Sequence, residues 1–396
     1  MSLNSDVIVV GGGVVGLAVA DAVAREGADV VLVERGTPGR GATWAAGGML
    51  APLGEAPGRG AFLDLGLESL RLWASWAEDL THRTYLDPGY EQCGKLLIAE
   101  PHAADELRRR LEWQQGDGHA AAWQAGDDLR SLEPALGPEW SAGVHLPDQA
   151  LVDPRRLAPA LEEAARRSGV HFRLGSAVEA LRRERAGSGS GGGAPYGPNG
   201  PVGAEALDGG RVTGVVLANG EVLAAEAVVL AAGAWSGSIE GLPRPLPMRP
   251  IKGQMLSLHL DRPLLRGIVA GPGAYLIPRL GPDGPLLVIG ATMEDTGFDT
   301  STDAHTIGEL RRAAEALVPD LMDCTEHERW AGLRPALPDG LPVLGPDPEV
   351  DGLIYATGHH RNGILLSAAT ARIVADQLAG RGTDPRWDAF SAARFA

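Results

Sequence analysis

The stretch Asp6 to Glu34, DVIVVGGGVVGLAVADAVAREGADVVLVE, constrains this chain more than any other, because it reads as strand, glycine turn, helix and second strand in one βαβ unit. Val7 to Val10 is a short β-branched run that feeds straight into Gly11, Gly13 and Gly16, spaced as G-x-G-x-x-G. In that setting the glycines serve three different ends, with a tight turn at Gly11, close backbone approach to a pyrophosphate at Gly13, and close packing of helix on strand at Gly16. The unpaired N–H groups and positive dipole end of the helix then face the phosphates. Val30 to Val33 supplies the second strand, and Glu34 stands at its carboxyl end, 21 residues after Gly13. An acid there accepts bonds from ribose hydroxyls and repels a phosphorylated ribose. A glycine-rich turn of an ordinary α/β protein leaves the joint placement of strand, helix and acid unexplained. The unit binds a dinucleotide, FAD or NAD.

At 396 residues the chain has room for about two domains and a real core. Its 51 acids against 35 bases give a formal charge of -16, which repels nucleic acid and anionic membrane surfaces. Cys93 and Cys324 lie far apart and form no C-x-x-C pair, so neither a disulfide framework nor a metal site is indicated, and a reducing, cytoplasmic setting fits. MSLNSD carries no basic n-region, and the apolar run behind it is broken by glycines and ended by Asp21. It reads as neither signal peptide nor membrane span.

After Glu34, the loop RGTPGRGATWAAGGMLAP offers Thr43, Ala45, Ala46, Gly47 and Gly48, small enough for a flat ring to lie against the backbone. Leu63, Leu67, Leu70, Ala74 and Ala77 recur at spacings of 4, 3, 4 and 3, which predicts an amphipathic helix with Trp73 and Trp76 as core residues. Residues 85–150 change character, with short apolar pieces and a helix around Ala103 to Gln115. A helix carrying Leu157 and Leu161 and the strands of HFRLGSAVEALRRE then resume the first pattern. Residues 186–210 carry no apolar period and are dense in Gly and Pro, which reads as a mobile, function-free loop within a β-hairpin. AVVLAAGAWSG is another strand, running into Ala232 and Gly233. From Pro250, strand-length pieces separated by Gly and Pro turns read as an antiparallel sheet, followed by a helix marked by Ile307, Leu310, Ala314 and Leu317. GLIYATGHHRNGILLSAATARIVADQLAG reads as strand, glycine turn and long helix, which points a second helix N-terminus into the first domain.

The expected architecture is α/β. A Rossmann-like dinucleotide domain comes from three chain segments, 1–84, 151–249 and 330–396. An inserted antiparallel β-sheet substrate domain of α+β type comes from 85–150 and 250–329.

Six motifs, ATWAAGGMLAP, RPIKGQM, AYLIPR, IGATME, WAGLRPALPDGLPVLG and GHHRNGILL, resemble in their order the signatures of the glycine oxidase family of thiamine biosynthesis, within the D-amino acid oxidase superfamily. The resemblance spans nearly the whole chain. It implies FAD rather than NAD, held by Gly11, Gly13, Val14, Val15, Gly16, Glu34 and Arg35, then by Thr43, Ala45, Ala46, Gly47, Gly48 and Met49. Val178, Ala232, Gly233, Trp235, Arg334, His360, Arg361, Asn362, Gly363 and Ile364 complete the implied set. Leu333 stands about where covalent-flavin relatives carry a cysteine, which implies non-covalent FAD. Arg334 matches the family's carboxylate anchor, Tyr275 its helper, Met293 a residue lining the small pocket, and Arg361 an arginine close to the flavin. Gly273 departs from the pattern, which has a histidine two residues before the tyrosine, and implies a roomier pocket.

The implied reaction moves hydride from the α-carbon of a neutral amine to the flavin, giving an imino acid, with O2 reduced to H2O2. The implied substrate is glycine, and also sarcosine or small D-amino acids, and the imino acid would feed the thiazole of thiamine. The implied partners are that amino acid, O2 and further copies of the chain, as a tetramer or dimer. Rival readings are a D-amino acid or sarcosine-type oxidase or dehydrogenase, and a non-catalytic dinucleotide-binding sensor, against which Arg334 and Tyr275 argue. His359 and His360 invite a general-base role, but a turn beside the flavin with one ring hydrogen-bonded is preferred. Lys252, in RPIKGQM, could lie near the flavin and favour charge on reduced oxygen, but a lysine at a domain crossover is expected as a solvated surface residue. The bland alternative for Arg334 is a surface pair with Asp339.

Overall fold

The computed structural model of the protein describes residues 4–100, 104–184, 210–382 and 384–395. Valine-rich segments without polar alternation make strands buried on both faces. Asn4–Val10 lies in the middle of such a sheet, parallel to Val30–Glu34 on one side and Val222–Leu230 on the other. His171–Leu174 extends the parallel run beyond Val30–Glu34, and Leu353–Thr357 extends it beyond Val222–Leu230. Val343–Pro346 adds antiparallel at that edge, and the hairpin Val178–Glu184 with Arg211–Leu217 branches from Val222–Leu230, making eight strands among the described residues. The strand order therefore reverses at Asn4–Val10, and the crevice beyond the carboxyl ends at such a switch point is where α/β sheets take ligands. The expected loop at 186–210 lies outside the described residues, apart from Gly210.

Gly11 follows Val10 with φ 106, and a Cβ there would come within 2.5 Å of the Ala231 carbonyl oxygen. A Cβ on Gly16 would run into the Gly11 carbonyl, so both glycines are demanded by packing of the helix Val14–Arg25 on the sheet. That helix shares a core with Ala61–Thr84, Pro154–Arg167 and Gly363–Leu378. Trp73 is fully buried in this core, its indole N–H donating to the Leu365 carbonyl at 2.9 Å, and Trp76 meets it edge-on.

Among the described residues the second sheet also has eight strands, in the order Glu326–Ala336, Arg249–His259, Gly284–Gly290, Ala274–Gly281, Ile268–Gly271, Lys95–Ile98, Ala142–Leu146, Ala122–Ala125. All neighbours are antiparallel except Ile268–Gly271 with Lys95–Ile98, the join between the two stretches of chain that build the sheet. Helix Ala304–Leu317 buries Ile307, Leu310, Ala314 and Leu317 in this sheet's core. Glu326–Ala336 runs as one strand through position 330, where the sequence reading placed a boundary, and the chain rejoins the first sheet at Val343. Among the described residues no helix is long and apolar enough to cross a membrane.

Candidate active site

Val10, Glu34, Leu230 and Thr357 end four parallel strands on one side of the first sheet, and a cavity of about 850 Å³ opens there and runs to the second sheet. Every residue assigned from the sequence to hold cofactor or substrate lines this cavity except Gly16, which packs behind the turn.

At the sheet end the cavity is built for a dinucleotide. Gly13 is the N-cap of Val14–Arg25, in ordinary extended backbone at φ -74, and no side chain caps the helix from it. A Cβ on Gly13 would meet nothing nearer than the Thr43 hydroxyl at 3.5 Å, so packing within the protein does not require glycine there. It leaves open backbone against which a ligand has room to lie. Thr43 Oγ1 accepts from the Val14 amide at 2.9 Å, which leaves the next first-turn N–H groups for phosphate oxygens. Glu34 accepts from the amides of Gly12 at 2.7 Å and Gly36 at 2.8 Å, which fixes its carboxylate at the mouth while its remaining lone pairs stay available to ribose hydroxyls. The Arg35 guanidinium stacks over Trp235 at 3.5 Å, and Trp235 in turn stacks on Phe298. A second uncapped helix start, Asn362–Gly363–Ile364, lines the same cavity. Neither cysteine lines it, and burial, with Glu91 nearby, pushes the Cys93 thiol up to about 12, so a covalent link to a bound ring has no thiolate to form it.

From that turn, Thr43 to Gly48 leads to the other end. Ala45 packs on Gly332, and Gly47 on Ile277 and Tyr275, with Arg279 donating to the Gly47 carbonyl at 2.7 Å. There Arg334, Tyr275 and the exposed Met293 gather from three strand ends and loops of the second sheet. Burial raises the Tyr275 hydroxyl above its ordinary range, against the pull of the Arg334 guanidinium, so it remains a protonated donor at neutral pH. Arg334 donates to the carbonyls of Thr292 at 2.9 Å and Lys252 at 3.4 Å, and among the described residues no carboxylate pairs with it. Asp339, its suggested surface partner, is bonded to Arg394 at 2.6 Å instead.

Three residues fall differently from the sequence reading or outside it. Lys252 is buried, 4% exposed, with its ammonium 2.6 Å from Asp299; the strand alternation that turns Gly253 and Met255 into the cavity turns Lys252 away from it, so it is not the solvated residue expected. Glu55 and Lys95, which no motif announced, form a buried pair at 2.8 Å, and Glu55 also takes Arg361 at 2.9 Å. Both acid and lysine line a smaller chamber of about 350 Å³ that shares Tyr275 and Arg361 with the main cavity. Gly273 lines it too, at φ 78, a left-handed backbone in which the histidine of the family pattern would be strained.

Burial alone would raise the Glu55 carboxyl, but Lys95, Arg361 and Arg110 outweigh it and hold it at about 2, below its ordinary 4.5. A depressed folded value means the charged acid stabilises the fold above about 4.5, and this contribution is lost as pH falls toward about 2. Lys95→Met strips Glu55 of a buried partner and is expected to destabilise the protein by about 3 kcal/mol at neutral pH. Without Lys95 the acid takes a proton more readily, so the gap to wild type in urea unfolding should narrow between about pH 7 and about pH 5. A gap of constant size would mean that something other than the ion pair had been lost.

His359 is buried, its ring hydrogen-bonded to Thr370 at 3.0 Å, and burial pushes it down to about 3. Burial, with Arg334 and Arg361 adding to it, pushes His360 down to about 4. Both rings are neutral at physiological pH and too weakly basic to serve as general bases.

The family model of FAD dependent oxidoreductases (DAO) matches residues 6–377 of the chain. The glycine oxidase of Pseudomonas aeruginosa is 34% identical over 380 residues, covering 96% of each chain. The bifunctional protein ThiO/ThiG of a Nostoc species is 34% identical over 97% of this chain, but the chain spans only 54% of that relative's length. The crystal structure of glycine oxidase from Geobacillus kaustophilus matches with a TM-score of 0.88 at 32% identity, over 99% of each chain.

Proposed function

The chain belongs to the DAO family of FAD-dependent oxidoreductases, and from that premise we propose that it oxidises glycine, and with it sarcosine or small D-amino acids, to the imino acid, reducing O2 to H2O2. The imino acid then supplies the thiazole of thiamine. The observation that carries this reading is an arginine without a carboxylate partner among the described residues, Arg334, placed with the Tyr275 hydroxyl in the cavity whose other end is a dinucleotide cradle. FAD, when bound, supplies the hydride acceptor and the route of two electrons to oxygen.

Arg334 holds the substrate carboxylate through parallel hydrogen bonds, and Tyr275 donates a further one from its protonated hydroxyl. Met293 closes the wall, and Glu55, shared between Lys95 and Arg361, holds the Arg361 guanidinium in place. With His359 and His360 neutral, substrate must arrive as the free amine or lose its proton to solvent. The glycine oxidases of Pseudomonas aeruginosa and Geobacillus kaustophilus match over nearly their full length at 34% and 32% identity, which favours glycine over the D-amino acid and sarcosine-type readings. The same reading takes the protein as a cytoplasmic homo-oligomer, tetramer or dimer, and its two sheets as a FAD-binding domain and a substrate domain.

The test begins with the visible spectrum. The purified protein should be yellow, should release its flavin on acid precipitation, and should bleach anaerobically with glycine and sarcosine. A colourless preparation that FAD cannot reconstitute, or bleaching only by large D-amino acids, would overturn the assignment.

A further inference from the structure

In the antiparallel pair of Arg249–His259 with Glu326–Ala336, Ile251 faces Arg334 and Gly253 faces Gly332. Opposed residues share a face, so Arg334 reaches the space over Gly253 diagonally. A Cβ at position 253 would overlap the guanidinium, its nearest neighbours being Nη2, Cζ and Nη1 of Arg334. Gly253 is not among the glycines of positive φ, so its backbone does not call for glycine. Glycine in a strand interior weakens the strand unless something approaches closely; here what approaches is the arginine.

The two carbonyls beneath the guanidinium are themselves held. Residues 252 and 294 exchange backbone bonds at 2.9 and 3.0 Å, and the Gln254 amide donates to Thr292 Oγ1 at 2.9 Å. Gln254, fully buried, donates to Asp303 at 2.9 Å and accepts from the Asp303 amide at 2.9 Å, which ties the 292–303 segment to the strand.

We propose that Gly253 is a positioning residue for carboxylate binding: its bare backbone lets the Arg334 guanidinium lie flat against the Thr292 and Lys252 carbonyls, with its remaining donors turned into the cavity. The proposal rests on Arg334 being the carboxylate anchor. Alanine at 253 displaces only the far end of a flexible side chain, so the strand survives and the fork moves.

The experiment uses Gly253→Ala holoenzyme and acetate, a carboxylate without an amine, titrated through the flavin absorption. Flavin content should stay at the wild-type level, while acetate binds roughly tenfold to a hundredfold more weakly and KM for glycine rises with little change in kcat. Thr292→Val, which loosens one carbonyl and leaves position 253 alone, should weaken acetate to a lesser degree, and it decides the matter if Gly253→Ala does not fold. A mere packing defect would lower flavin content and leave acetate affinity of the loaded fraction unchanged, which would overturn the proposal. If Arg334→Ala loses acetate while both other variants keep it, only the positioning role is overturned. If Arg334→Ala also binds acetate normally, the anchor reading falls and this proposal with it.

Discussion

Arg334→Ala is expected to leave FAD bound and to raise KM for glycine by roughly two or more orders of magnitude. A substrate carboxylate must shed water to enter the cavity, and burying an unpaired charge is costly. A guanidinium meets both oxygens through two parallel bonds, and charge-assisted bonds contribute about 1.5 to 3 kcal/mol each. The structure strengthens the case, because Asp339 is taken by Arg394 and the bonds that hold Arg334 go to carbonyls, which steer a guanidinium without neutralising it. Arg334→Lys restores the charge but not the fork, and should recover only part of the loss. Simple amines without a carboxylate should be affected much less. Near-native KM for glycine and sarcosine in Arg334→Ala would sink the assignment, and Arg361 would be tested next, although its guanidinium already has Glu55 at 2.9 Å.

The dinucleotide end of the site was legible because its parts are consecutive: strand, turn, helix and acid all fall within Asp6 to Glu34, so local rules suffice. The second helix start at Asn362–Gly363 was legible for the same reason. What could not be read are contacts between remote positions. Glu55 and Lys95 are 40 residues apart and Glu55 and Arg361 are 306 apart, and neither partner lies in a pattern that forecasts the other. Lys252 misled because a lysine near a turn is usually solvated, whereas here its side chain is buried and its ammonium meets Asp299, an exposed acid on a returning loop. Gly253 did carry a signal, a glycine in the middle of a strand, but its meaning depended on Arg334 arriving from a strand 81 positions later. Local order in the sequence thus revealed the cofactor cradle, and only the fold revealed how the substrate end is held.

The sharpest test of that cradle is Gly13→Asp, which is expected to abolish FAD binding while leaving the apoprotein at least as stable as wild type. Gly13 is the N-cap of Val14–Arg25, with φ -74 and ψ 178, and donates no side chain to the open amides of the first turn. Aspartate is among the preferred residues at that position, and in place of glycine it should stabilise the helix by a few tenths of a kcal/mol. Space is no obstacle, since the new Cβ meets only Thr43 Oγ1, at an ordinary 3.5 Å. By the folding criterion alone, then, glycine is the poorer choice, and such a local departure is expected where function sets the residue. The aspartate would stand where the pyrophosphate has to lie. Two unit charges about 4 Å apart repel by about 4 kcal/mol in a partly screened site, which weakens binding roughly a thousandfold before the lost helix amides are counted. Gly13→Asn removes the charge and keeps the bulk, so it should bind FAD more weakly than wild type but better than Gly13→Asp. Fluorescence titration of apoprotein with FAD, run beside thermal unfolding of the same apoprotein, reads both quantities. A yellow Gly13→Asp with wild-type affinity would move the phosphates away from this turn, and an apoprotein clearly less stable than wild type would show that packing, not the ligand, demands glycine at 13.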